Sequence, residues 1–154
     1  MDAVLLDAIL AYLHHLGIGL LIVFLAMETA LVRQPMTAAL IARLARIDGG
    51  TGFGAALVLF AGAGRVIYGL KGTEFYVANH IFWTKMTMFA LAALASIPVT
   101  LAILRWRRAV LTDAGYQPDA KTLRRVQRHI MMEWGIILVI PLAAVLMARG
   151  FGMR

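Results

Sequence analysis

Cysteine is absent from this chain, which excludes disulfides, thiolate metal sites, iron–sulfur clusters and haem attached covalently through cysteine. Serine is nearly absent as well, and with Ser96 as the only one a Ser–His–Asp catalytic site has no convincing nucleophile. Charge is scarce: 15% of residues are Asp, Glu, Lys or Arg, against about 25% in soluble domains. Negative charge is the scarcest, with 8 carboxylates facing 15 lysines and arginines. No glycine-rich phosphate loop follows a strand pattern, because the GAG of Gly62 to Gly64 falls inside an apolar run.

Hydrophobic residues fill the space that charge leaves, making up 62% of 154 residues. A soluble domain of this size could not bury that much apolar surface. Four stretches, 8–32, 53–70, 81–104 and 130–148, are long enough for a hydrocarbon core of roughly 30 Å, which takes about 20 residues of helix. The expectation is an all-α integral-membrane four-helix bundle, one transmembrane domain over 1–154. The first stretch begins with Asp2 and Asp7 rather than with lysine or arginine, so it reads as a retained span and not as a signal peptide.

The net charge of +7 is concentrated in two connections. Arg33, Arg43 and Arg46 lie between the first two spans, and Arg105, Arg107, Arg108, Lys121, Arg124, Arg125 and Arg128 between the last two. The positive-inside rule then places both termini outside and the two basic connections in the cytoplasm. Arg149 and Arg154 count the other way. Anionic lipid headgroups account for the basic face, and no nucleic acid partner is needed.

Between the first two spans, Pro35 and the apolar positions around Arg43 and Arg46 suggest a short amphipathic helix in the first cytoplasmic loop, ended by Gly49, Gly50 and Gly52. The small residues of the second span permit close helix packing, within the chain or between copies in a homo-oligomer. Tyr68, Phe75, Tyr76, Phe82 and Trp83 suggest an outer interfacial belt, with Trp106 and Trp134 on the inner side. Gly115 and Pro118 mark a turn before an N-cap at Asp119. Pro98 and Pro141 fall inside the third and fourth spans, where proline removes a backbone donor.

An ionisable residue inside a span costs about 2.5–3.5 kcal/mol on insertion scales, so each one needs a partner or a purpose. Helical geometry puts Asp7, His14, Leu21 and Glu28 on one stripe of the first helix, with Leu10 and Gly17 beside them. His15 is turned by about 100° onto a face with Ala8, Ala11, Gly19 and Ala26, and reads as part of a packing seam. Arg65 and Lys85 each sit about one turn inside the outer end of their spans, a depth His14 shares to within a few ångströms. Both cations could simply extend to the headgroups. Alternatively, two cations with Asp7 as the one nearby counter-ion invite an anionic ligand. Glu28 and Glu133, near Arg33, Arg43 and Arg128, read as interfacial ion pairs.

Zinc has no second ligand at the right spacing on the helix of His14. A flat apolar cofactor with two carboxylates fits better: haem b or a porphyrin, its iron on His14 and its propionates on Arg65 and Lys85. Tyr68 and Trp83, adjacent in the outer belt, complete the expected cofactor-binding set. The function expected on this reading is a redox protein or oxidoreductase working with a quinone or a porphyrin. Two other classes stay open: proton or small-ion translocation along Asp7, His14 and Glu28, and a non-catalytic scaffold or lipid-binding helper.

AYLHHLGI, GRVIYGLKGTEFYVANHIFWTKM and RWRRA together resemble a family of short bacterial inner-membrane proteins, domain of unknown function 2214, over essentially the whole chain. This resemblance implies a multi-pass protein of the bacterial cytoplasmic membrane and no particular activity. More distantly the plan resembles the HemJ-type protoporphyrinogen oxidases, with a histidine in the first span and tryptophan-x-lysine near the start of the third. That likeness implies His14 as haem ligand and functional roles for Arg65 and Lys85. The chain departs from that family in the FLAMETALVRQP end of its first span and in having no histidine after Lys85 within the third.

Overall fold

The computed structural model describes residues 2–152. Five helices run α1 (Ala3–Leu31), α2 (Ala38–Tyr68), α3 (Gly72–Val77), α4 (His80–Thr112) and α5 (Ala120–Ala148), with no strand among the described residues. Four of them, all but α3, are long and apolar enough to cross a membrane. Side-chain caps set four of the starts, with Asn79 capping α4. Asp2 accepts from the amide of Val4 at 3.1 Å, Thr37 from Leu40 at 3.2 Å and Asp119 from Thr122 at 2.9 Å, each satisfying a donor that the first turn leaves free. The expected cap at Asp119 is therefore present. The Thr122 hydroxyl and amide also hold the Asp119 carboxyl below the usual aspartate range.

The long helices alternate in direction and pack as two hairpins, α1 with α2 and α4 with α5. Contacts between the hairpins are sparser, α2 to α4 and α1 to α5. Both chain ends and α3 therefore lie at one end of the bundle, here the α3 end. The two arginine-bearing connections lie at the other.

Helices α2, α4 and α5 outrun their expected apolar stretches at the arginine-rich end, and α2 corrects an expectation. The amphipathic segment and the second span are one helix of 31 residues, and Gly49, Gly50 and Gly52 do not end it. Glycine in a membrane helix often serves close approach instead of termination. A Cβ at Gly50 would lie 2.7 Å from the Phe24 ring, and one at Gly54 would lie 2.7 Å from the backbone nitrogen of Leu21. Gly17 returns the contact from α1, where a Cβ would meet the Val58 nitrogen at 2.9 Å. The apolar face Ile41, Leu44 and Ile47 is likewise buried in the bundle. These glycines are spent within the chain.

The aliphatic core sits toward the arginine-rich end. Leu25, Ile41, Leu44, Ile103 and Ile130 are essentially inaccessible there. Trp106 belongs to this core at 2% exposure, so it is not an interfacial belt residue. Trp134 is half-buried and donates through Nε1 to the Thr29 hydroxyl at 2.9 Å. Apolar side chains such as Phe60, Leu94, Leu138 and Leu142 point outward, as lipid-facing positions do. Pro98 and Pro141 lie within continuous helices.

At the α3 end, Asn79 joins two segments. Its Oδ1 accepts from the Ile81 amide at 2.9 Å, starting α4, and its Nδ2 donates to the Phe151 carbonyl at 3.0 Å. The His80 amide donates to the Gly152 carbonyl at 3.2 Å. Gly152 adopts φ +83° and leaves no room for a Cβ, which would lie 2.7 Å from Asn79 Oδ1, so only glycine fits there.

Candidate functional site

The loose seam between the hairpins is a cleft of about 800 Å³, within the range of about 300–1,000 Å³ that small-molecule and cofactor sites occupy. Its middle is apolar, lined by Ile18, Leu21, Val58, Met86, Phe89 and Ile137. Its two ends carry opposite charge.

At the α3 end, His14, Arg65, Lys71 and Lys85 line the cleft. The shared stripe on α1 is real: Gly17, Leu21 and Glu28 are buried, and Asp7 and His14 half-buried, on the side facing α2. His14 Nδ1 donates to the Val58 carbonyl at 3.0 Å. That bond fixes the tautomer and leaves Nε2 as the basic nitrogen. The ring lies against Gly62, where a Cβ would come within 3.2 Å of it. Arg65 pairs with Asp7 through Nε and Oδ1 at 3.9 Å, and that buried Nε makes no hydrogen bond. Lys85 is half-buried and has no ion-pair partner among the described residues. Lys71 covers the Phe75 ring at 4.6 Å from its centroid, a cation–π contact. One carboxylate thus faces three cations here.

The structure brings His14, Arg65 and Lys85 to one cleft, and leaves Tyr68 and Trp83 out of its lining. Tyr68 is 63% and Trp83 53% exposed, and the indole of Trp83 donates to the Val77 carbonyl at 3.0 Å. Their neighbours Tyr76 and Phe82 line the cleft instead. Phe82 and Trp83 are successive residues of α4 and so are turned about 100° apart, while Tyr68 is the last residue of α2 and Tyr76 lies on α3. His15 is also placed differently from the expectation of a packing seam. It is exposed at the cleft rim, its Nδ1 donates to the Ala11 carbonyl at 2.6 Å, and Gly19 on its face has nothing within 4 Å.

At the arginine-rich end the cleft closes on Glu28, Asp48 and Glu133, from α1, α2 and α5. None forms an ion pair among the described residues, so Glu28 and Glu133 are not the interfacial pairs with Arg33, Arg43 and Arg128 that their position suggests. Glu28 Oε2 accepts from the Thr51 hydroxyl at 3.1 Å, and Asp48 Oδ1 from the Thr100 hydroxyl at 2.8 Å. The role of Asp48 is hidden if the glycines after it are read as a helix end. Read as helix, Ile41, Leu44, Asp48 and Thr51 fall on one face. No group of three or more His, Cys, Asp or Glu side chains is placed to hold a metal ion among the described residues.

Residues 6–152 match the family described as Predicted membrane protein (DUF2214). No curated protein and no solved structure matches the chain. The match covers nearly the whole chain, which belongs to that membrane-protein family.

Proposed function

We propose that this DUF2214-family membrane protein binds haem b, or a related porphyrin, in the cleft between its two hairpins. The observation that carries the reading is the tautomer of His14. With Nδ1 bonded to the Val58 carbonyl, Nε2 would be the nitrogen that holds the iron, as metal-binding histidines do when an outer hydrogen bond fixes the other ring nitrogen. The apolar middle of the cleft suits a macrocycle. Arg65, whose buried Nε makes no hydrogen bond, and Lys85, which has no ion-pair partner among the described residues, suit two propionates, since carboxylates at a guanidinium or ammonium make charge-assisted hydrogen bonds. When bound, haem supplies one-electron redox chemistry. The protein's part is to orient the group, compensate its charge and keep water from its faces.

The same reading puts the protein in the bacterial cytoplasmic membrane, with the arginine-rich end in the cytoplasm by the positive-inside rule and a quinone or porphyrin as redox partner. The test is an absorption spectrum of detergent-purified protein expressed with ample haem, before and after dithionite. A Soret band that His14→Ala abolishes, and that Arg65→Ala and Lys85→Ala weaken, supports haem on His14. No Soret band in the wild type defeats the reading, as does a band unchanged by His14→Ala.

A further inference from the structure

The acidic end of the cleft is unexplained by a haem at its other end. Glu28, Asp48 and Glu133 are 1%, 8% and 4% exposed, and they come from three separate helices to line one cavity wall. No lysine, arginine or histidine pairs with them among the described residues. Around them α1 contributes Glu28, α2 contributes Asp48 and Thr51, α4 contributes Thr100 and α5 contributes Glu133. His129, one turn before Glu133 on α5, lies outside the lining, its Nδ1 buried without a partner.

The hydrogen-bond inventory is short of donors. Ionised carboxylates only accept, and the donors at hand are two threonine hydroxyls. The Thr51 hydrogen is shared with the Ile47 carbonyl at 3.3 Å, and the Thr100 hydrogen goes to Asp48. Glu28 Oε1 is fully buried and accepts nothing. Glu133 is more than nine-tenths buried and has no hydrogen-bond partner among the described residues. Three ionised carboxylates lining one cavity, without a counter-charge among the described residues, repel one another. A proton removes charge and adds the missing donor in the same event. A metal ion would also remove charge, but no group of three or more such side chains is placed to hold one among the described residues.

We infer that Glu28, Asp48 and Glu133 form a shared proton-binding site at the arginine-rich end of the cleft, able to give protons to, or take them from, a molecule held there. Protons on such a set belong to the group rather than to any one residue. The site stands on its own inventory and not on the haem reading, which concerns other residues at the opposite end.

The test is infrared spectroscopy of the full-length protein in lipid nanodiscs at neutral pH, in H₂O and D₂O. The expected result is a C=O band of protonated carboxylic acid that shifts in D₂O, keeps less than half its area in the Glu28→Gln, Glu133→Gln double variant, and is lost in Glu133→Lys, where an ammonium supplies both charge and donors. Absence of the band in the wild type overturns the inference whatever the variants do. So does a band that both variants leave unchanged, since the protonated carboxyl would then be another, such as Asp7. His14→Ala, which removes the haem ligand, is expected to leave the band in place, so the two readings fail separately.

Discussion

The two halves of this bundle are built from the same four helices but solve opposite problems. Toward the arginine-rich end, Leu25, Ile41, Leu44, Ile103 and Ile130 close the helices over one another. From the α3 end inward the hairpins stand apart, and a cavity of about 800 Å³ lined by charged groups and by apolar side chains such as Met86 and Phe89 remains between them. Lipid gives helices no hydrophobic reason to associate, so association rests on close packing and polar contacts. The packed half supplies the adhesion that allows the other half to stay open.

This contrast can be broken most severely at the glycine contact inside the first hairpin. Gly54→Val places carbon where Leu21 backbone already stands, and overpacking of this kind is expected to cost about 3 kcal/mol. The expected outcome in a denaturant titration in mixed micelles is loss of the folded population. Gly19→Ala, on a face with nothing within 4 Å, is expected to leave the transition in place. Next comes the core itself: Ile103→Ala is expected to lower stability by about 2 kcal/mol, while Ile18→Ala, which only widens the cleft, costs under about 1 kcal/mol in the same titration. Equal losses at the two sites would erase the distinction between the halves.

A smaller effect is expected at the α3 end. Asn79→Ala removes a helix cap and a tie to Phe151, for about 1 kcal/mol. Its readout is faster hydrogen exchange of the Ile81 and His80 amides with the Ile103 amide unchanged. The smallest effect belongs to Asp119. Its carboxyl is held below the usual value of 3.8, so its contribution is complete above that value and is lost as pH falls through the lower folded value. Asp119→Asn, which keeps a capping oxygen, is expected to flatten that acid dependence of thermal stability without shifting the transition at neutral pH.

The four apolar helices, the Asp119 cap and the Asp7, His14, Leu21, Glu28 stripe were all legible in the sequence, because each depends on spacing along one helix. What was hidden depends on contacts between helices. Gly50 reads as a break until Phe24 stands opposite it. Small residues beside His15 suggest a seam, yet the larger Leu21 and Leu25 set the face of α1 that packs. Glu28 and Glu133 lie near arginines in sequence, but the helical extension of α2 brings Asp48 and Thr51 to them instead. Tyr68 and Trp83 could not be told from Tyr76 and Phe82 without knowing which faces of α2, α3 and α4 meet across the cleft.

The bonds from Asn79 and His80 to Phe151 and Gly152 bear on mechanics as well as on stability. They fasten the first turn of α4 to the chain just past α5, while residues 113–119 join the same two helices at the far end. The second hairpin is thus latched top and bottom into a rigid frame. The first hairpin is tied to this frame at the same end through α3, whose Thr73 hydroxyl donates to the Val66 carbonyl of α2 at 3.0 Å, so α2 is tethered to α4 there and α1, with its sparse contacts to α5, is the helix left freest to move against the frame.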